Sequence, residues 1–154
     1  MKKYEFTGET KQVELLFRTV TLHRIKAVAE FGIVKVGDLG GWIEKEENLS
    51  HDGKAWVYGN AEVYGNAKVY GNAKVFSISH VLVIGPIGSR NDFTTFFRDK
   101  DSEITVKCGC FLGKIDKFLE KVCETHGDSK YAIVYRSAAE IAKQQIDLSE
   151  KKQL

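Results

Sequence analysis

Residues 55–75 read AWVYGNAEVYGNAKVYGNAKV, and the reading of this stretch governs the rest of the chain. Val57, Val63, Val69 and Val75 recur every sixth residue, and Ala55, Ala61, Ala67 and Ala73 stand two places before them. Gly59-Asn60, Gly65-Asn66 and Gly71-Asn72 punctuate the units. An α-helix returns to one face after three, four and seven residues, so a strict six cannot hold the valines on a helical face. In an extended strand, residues two apart share a face, which turns each Ala and its Val to the same side. Glycine and asparagine accept positive φ most readily, so each Gly-Asn pair supplies a corner.

Strand and corner alternating with period six is the hexapeptide β-helix pattern. In such a coil Val57 lies beside Val75 and Val63 beside Val81, at the ~4.8 Å spacing of neighbouring strands. The alternative is a pair of hairpins. It is less favoured because tight hairpins prefer Asn-Gly over Gly-Asn, and the strands would be very short. Tyr58, Tyr64, Tyr70 and Phe76 point outward, as partial cover for the strands or as a contact with another subunit or domain.

Outward from the repeat toward the N-terminus, Lys3–Thr7 reads as a lead strand with a turn at Gly8, and 13–17 and 19–28 are strand-like. Further on stand Leu22-His23-Arg24-Ile25-Lys26-Ala27, then Gly37-Asp38-Leu39-Gly40-Gly41-Trp42-Ile43-Glu44, Asn48-Leu49-Ser50, Gly53 and Ala55-Trp56-Val57-Tyr58. Over residues 20–81 this string resembles the YdcK-type β-solenoid proteins of bacteria and their phages, with Gly-Gly-Trp-Ile its most specific part. The resemblance implies a left-handed coil of about three hexads per turn, an exception to the usual right-handed crossover. It also implies that Trp42 and Trp56 fill or cap the first coil, and that chains assemble as homo-oligomers, a trimer favoured. Residues 14–19 look expanded relative to that pattern. Proteins of this type are sometimes labelled hexapeptide-repeat transferases, a label that rests on fold analogy.

Toward the C-terminus, 81–84 reads as a buried strand leading into Gly85-Pro86-Ile87-Gly88-Ser89-Arg90-Asn91-Asp92. Two strands follow, at 93–98 and 104–108, and Cys110–Gly113 closes the pair. Ile115, Phe118, Leu119 and Val122, then Tyr131, Val134, Tyr135, Ala138, Ile141 and Ala142, keep helical spacing, predicting helices over 114–125 and 129–146. The tail from Asp147 to Leu154 is charged and expected to fray. The expected fold is mainly β with α: N-terminal strands over 1–38 capping a short left-handed parallel β-helix over 39–84, then a small C-terminal ββαα unit over 85–154. GPIGSRNDFTTFF, with CGCF after it, is similar to a segment of small phage proteins.

The best ligand candidate is the loop before that unit. Gly88, Ser89, Arg90 and Asn91 offer approachable backbone N–H groups, a hydroxyl and a forked cation for phosphate or carboxylate. Thr94 and Thr95 add polar groups and the neighbouring phenylalanines could stack a base. No Gly-Lys-Ser/Thr follows, so this is not a Walker loop. The plainer role is a tight crossover with Arg90 paired to a carboxylate. Cys108, Cys110, Cys123 and His126 form a C-x-C…C-x2-H set, a weak zinc candidate because C-x-C is tighter than the usual C-x2-C. Small buried thiols are the favoured reading, with no metal. His23, His51 and His80 have no recognisable partner in sequence, and no catalytic residue is assigned.

The 154 residues carry a formal net charge of +2, which gives no support for general nucleic-acid binding. No signal peptide or membrane-spanning run is read, and three cysteines suit reduced thiols in a cytoplasm. The favoured function is a non-enzymatic, oligomeric binding protein, phage-related, that needs no cofactor and holds or sequesters a small anionic ligand such as a nucleotide signal. The alternatives are a module that binds a host protein and a hexapeptide-repeat acyltransferase.

Overall fold

A computed structural model describes residues 2–149. The chain divides into two compact units, 1–78 and 79–154.

In the first unit, β1 (Tyr4–Glu14) and β2 (Thr19–Ala27) form an antiparallel hairpin whose register slips between Phe6 and Thr10. The turn expected at Gly8 is thus an irregularity inside one long strand. The reversal comes later, where Leu15 N–H donates to the Arg18 carbonyl at 2.7 Å, so 13–17 is not one strand. β3 (Leu39–Ile43) runs antiparallel to β2, with Arg24 opposite Trp42. A methyl on Gly40 would meet Ile25 at 2.6 Å, and one on Gly41 the Ala61 carbonyl oxygen at 2.5 Å. Gly-Gly before Trp42 is therefore what lets β3 pass so close to its neighbours.

The repeat contributes three strands of two residues each, β4 (Trp56–Val57), β5 (Glu62–Val63) and β6 (Lys74–Val75). They do not build the expected left-handed parallel β-helix. β5 joins the first sheet as its fourth strand, in the order β1-β2-β3-β5, while β4 and β6 form a separate two-stranded sheet. Val57 does pair with Val75 in parallel, but Val63 pairs with Ile43, and Val81 pairs antiparallel with Phe97. Nor do the strands pair as hairpins, since β3–β5 and β4–β6 are parallel. The fold is mixed α+β with three separate sheets. The physical reason is the shortness of the repeat: three and a half units offer too few rungs for a continuous parallel ladder. The long hairpin β1–β2 then supplies β3 with an antiparallel neighbour.

The alternation within the repeat still sets burial. All four alanines and all four valines of residues 55–75 are at most 3% exposed. Each buried valine is worth roughly 1.5–3 kcal/mol over an exposed one. Trp56 is buried against Phe31 and Tyr4, and the Lys11 ammonium and the Arg24 guanidinium both lie over the Trp42 ring. Tyr58 and Phe76 stack with centroids 4.5 Å apart. The start of the described chain is tied to the repeat by Lys3 Nζ donating to the Ala55 carbonyl at 2.7 Å, and to the segment before it by Tyr4 Oη donating to the Leu49 carbonyl at 2.6 Å.

The second unit is larger in sheet than the expected ββαα. β7 (Val81–Ile87), β8 (Asp92–Arg98), β9 (Ile104–Cys108) and β10 (Phe111–Lys114) make an antiparallel meander. α1 (Ile115–His126) and α2 (Lys130–Gln145) follow, each within a residue of the predicted ends. The helices bury Phe118, Val122, Ala132, Tyr135, Ala138 and Ala142 against Phe96, Ile104 and Val106 of the sheet. Asp99 anchors the β8–β9 turn: its carboxylate is 2% exposed and accepts from Asp101 N–H, Glu103 N–H, Thr105 Oγ1 and Lys114 Nζ. No helix among the described residues is long and apolar enough to cross a membrane. The expectation of a frayed tail falls, from residue 150 on, outside the described residues.

Candidate functional site

The β7–β8 connection is a tight turn made of Gly88, Ser89, Arg90 and Asn91, the residues singled out in sequence. Asn91 N–H donates to the Gly88 carbonyl at 3.2 Å, and both residues have positive φ, 79° for Gly88 and 51° for Asn91. Gly88 lies under the end of Tyr135, where an added methyl would sit 1.9 Å from the phenolic oxygen. The turn is thereby fixed against α2.

Beside it opens a cavity of about 250 Å³. Ser89, Arg90 and Asp92 form one wall, and Cys108, Gly109, Cys110 and Phe111 of the β9–β10 turn another. Phe118, Lys121, Val122, Thr125 and His126 of α1 and Tyr135 of α2 complete it. The deep part is apolar, with Phe118, Val122 and Tyr135 buried. The rim is polar: Ser89, Arg90, Lys121 and Thr125 are exposed. Among the described residues neither Arg90 nor Lys121 sits in an ion pair. Among the described residues Asp92 is the one carboxylate in the lining.

Tyr135 joins the walls. Burial raises its phenol pKa, and the neighbouring Cys108 acts in the same direction, as does Asp92. Arg90 pulls the other way. Cys108 Sγ also accepts from Thr94 Oγ1 at 3.3 Å. His126 stacks on the Tyr135 ring at 5.6 Å.

Of the predicted ligand residues, Ser89 and Arg90 line the cavity. Gly88 and Asn91 shape the turn, and Thr94 and Thr95 are buried in β8, outside the lining. The cysteine–histidine set is split. Cys108, Cys110 and His126 line the cavity, whereas Cys123 does not. Among the described residues no group of three or more His, Cys, Asp or Glu side chains is placed to hold a metal ion. The expectation of buried thiols is corrected as well, because Cys110 and Cys123 are exposed and only Cys108 is half-buried. Sequence reasoning missed Lys121 and Thr125. They share a helical face with Phe118 and Val122, and a lysine and a threonine interrupting an apolar stripe was the available signal.

His23, His51 and His80 lie elsewhere. His51 Nδ1 accepts from Lys3 N–H at 3.0 Å, its Nε2 meets Glu46 at 2.9 Å, and its ring stacks on Tyr4. His23 stacks on Phe6, and His80 is buried. Burial pushes Lys3 down to about 8 while Asp52 opposes the shift.

The fold and its cavity define a mixed α+β chain with a small, cation-rimmed pocket in its second unit. No family model matches the chain. A stretch of 62 residues, 38% of the chain, is 34% identical to a protein of Escherichia coli (strain K12) called "Uncharacterized acetyltransferase YdcK". The match spans 19% of that relative, about a fifth of its length, and marks a distant, partial relationship. That relative is a bacterial protein, and neither its name nor the three-sheet architecture supports the expected phage β-solenoid that binds nucleotides.

Proposed function

We propose that the second unit binds a small anionic molecule in the cavity between the β7–β8 turn, the β9–β10 turn and α1, and that the protein works by holding this ligand. The observation that carries the reading is the pairing of Arg90 and Lys121 on the rim of an apolar-floored cavity. Arg90 offers a planar fork for carboxylate or phosphate, and Lys121 a point charge. Ser89, Thr125 and His126 add hydrogen-bonding groups, and Phe111, Phe118 and Val122 accept an apolar body. A cavity of about 250 Å³ lies just below the usual range for ligand sites, which favours a compact acid over a large cofactor.

Isothermal calorimetry against a panel of small aromatic and aliphatic carboxylates and phosphate monoesters tests this. Binding by at least one, weakened about tenfold or more by Arg90→Gln with Lys121→Gln, is expected, since each lost charged hydrogen bond is worth about 1.5–3 kcal/mol. Absence of heat from the whole panel at millimolar ligand would refute it.

The printed name of the Escherichia coli relative favours a second reading, acetyl transfer. Release of free thiol from acetyl-coenzyme A in the presence of amine acceptors would support it, and a rate equal to the protein-free control would remove it.

A further inference from the structure

The same cavity carries a chemistry that anion binding leaves unused. Two thiols line its β9–β10 wall, and they stand in different surroundings. Cys108 is half-buried and accepts a hydrogen bond from Thr94 Oγ1 at 3.3 Å. Cys110, one residue past the glycine of the turn, is exposed and has no such engagement among the described residues. Arg90 and Lys121 supply positive charge to the cavity that Cys110 lines, with Asp92 the single opposing charge among the described lining residues. Cys123 is equally an exposed thiol but lies outside the cavity.

We propose that Cys110 is a thiol–disulfide exchange site selective for small anionic disulfides, whose carboxylates are held by Arg90 and Lys121. This rests on the anion-binding reading above and names the class of molecule that the site takes. The step balances without an outside oxidant. Cys110 loses its thiol proton to solvent, and the thiolate attacks one sulfur of the disulfide. The Cys110 sulfur–sulfur bond forms as the original sulfur–sulfur bond breaks. Half of the incoming disulfide stays on Cys110, which is oxidised. The other half leaves as a thiolate, is reduced, and takes up a proton from solvent. The two rim cations draw the anionic reagent in and offset the negative charge that gathers on three sulfurs as the bond exchanges. Cys108, half-buried and held by Thr94 Oγ1, is not the attacking group.

The test uses the full chain with a pair of probes of similar size, dithiodipropionate (anionic) and dithiodiethanol (neutral). Adducts on each cysteine are timed by intact mass and peptide mapping at low salt. Cys123 serves as the internal reference for an exposed thiol outside the cavity. The expected result is an anionic-to-neutral rate ratio at Cys110 about tenfold or more above that at Cys123. The excess falls away in Arg90→Gln with Lys121→Gln, and with added salt, because exposed charges are screened. Cys110→Ser removes the fast adduct, and Cys123→Ser does not. Equal ratios at the two cysteines, or a fast adduct on Cys108 or Cys123, overturn the proposal. Calorimetry of propionate-class acids on Cys110→Ser separates the two ideas. Binding retained with no rate preference sinks the exchange site alone, and binding absent from both forms sinks the anion site with it.

Discussion

Gly88→Ala is the sharpest probe of how the cavity is built. Gly88 sits at φ 79°, a conformation that costs an L-residue about 1–2 kcal/mol. The added methyl would also fall 1.9 Å from the Tyr135 phenolic oxygen and 2.4 Å from the carbon that bears it. The end of a tyrosine can often swing away, but Tyr135 is edge-on to Phe118 at 5.7 Å and stacked on His126 at 5.6 Å. Relief must come by moving the turn or displacing a packed ring, and overpacking of that kind costs about 1–3 kcal/mol. The combined loss is about 3 kcal/mol. With a urea slope of about 1–1.5 kcal/mol per molar, the midpoint falls by about 2–3 M. Both long helices belong to the second unit, so far-ultraviolet circular dichroism follows its unfolding, while Trp42 and Trp56 report on the first unit. Tyr135→Phe in the Gly88→Ala background removes the worst contact but not the one at 2.4 Å, so about 1 kcal/mol returns. A Gly88→Ala protein with an unchanged dichroism transition would refute the placement of α2 against the turn, and with it the cavity.

Two further outcomes follow from buried polar groups. Asp99→Asn keeps the shape of the side chain but replaces an acceptor of four hydrogen bonds, one from the Lys114 ammonium, with a half-donor amide. A loss of about 2–4 kcal/mol in the dichroism-detected urea transition is expected. Lys3, held down to about 8 by burial, binds fewer protons folded than unfolded between about pH 8 and its ordinary value of 10.5. Stability of the first unit, read by tryptophan fluorescence, therefore gains a rising contribution as pH goes up through that window and loses it as pH falls toward about 8. Comparison with Lys3→Met below about pH 9.5, before tyrosines ionise, should show a steeper rise with pH in the parent. Parallel profiles would refute it.

Legibility varied along the chain for physical reasons. The helices over 115–126 and 130–145 were readable nearly to the residue, because apolar side chains recur at helical spacing over about two turns in the first and three in the second. The inward set of the repeat was readable because a period of two within each unit forces Ala and Val to one side. Which strand each unit would pair with was not readable. Val63 could have neighboured Val81 or Ile43 with its side chain buried either way. Strands of two residues carry little register information of their own. Ser89 and Arg90 stood out as residue types suited to an anion, yet Thr94 and Thr95, similar in chemistry and only a few residues on, proved to be buried in β8. The β8 strand alternates its faces and lies under other elements, which composition does not report.

Local periodicity thus determined the two helices and the inward Ala and Val set of the repeat, since each depends only on near neighbours in sequence. Tertiary structure alone decided that the repeat is divided between two sheets, and that Arg90, Cys110 and Lys121, which lie on three separate elements, share one cavity. Pairing between distant strands and the meeting of a helix face with two turns are settled by competition among long-range contacts of similar energy. No stretch of this sequence, read by itself, contains the outcome of that competition.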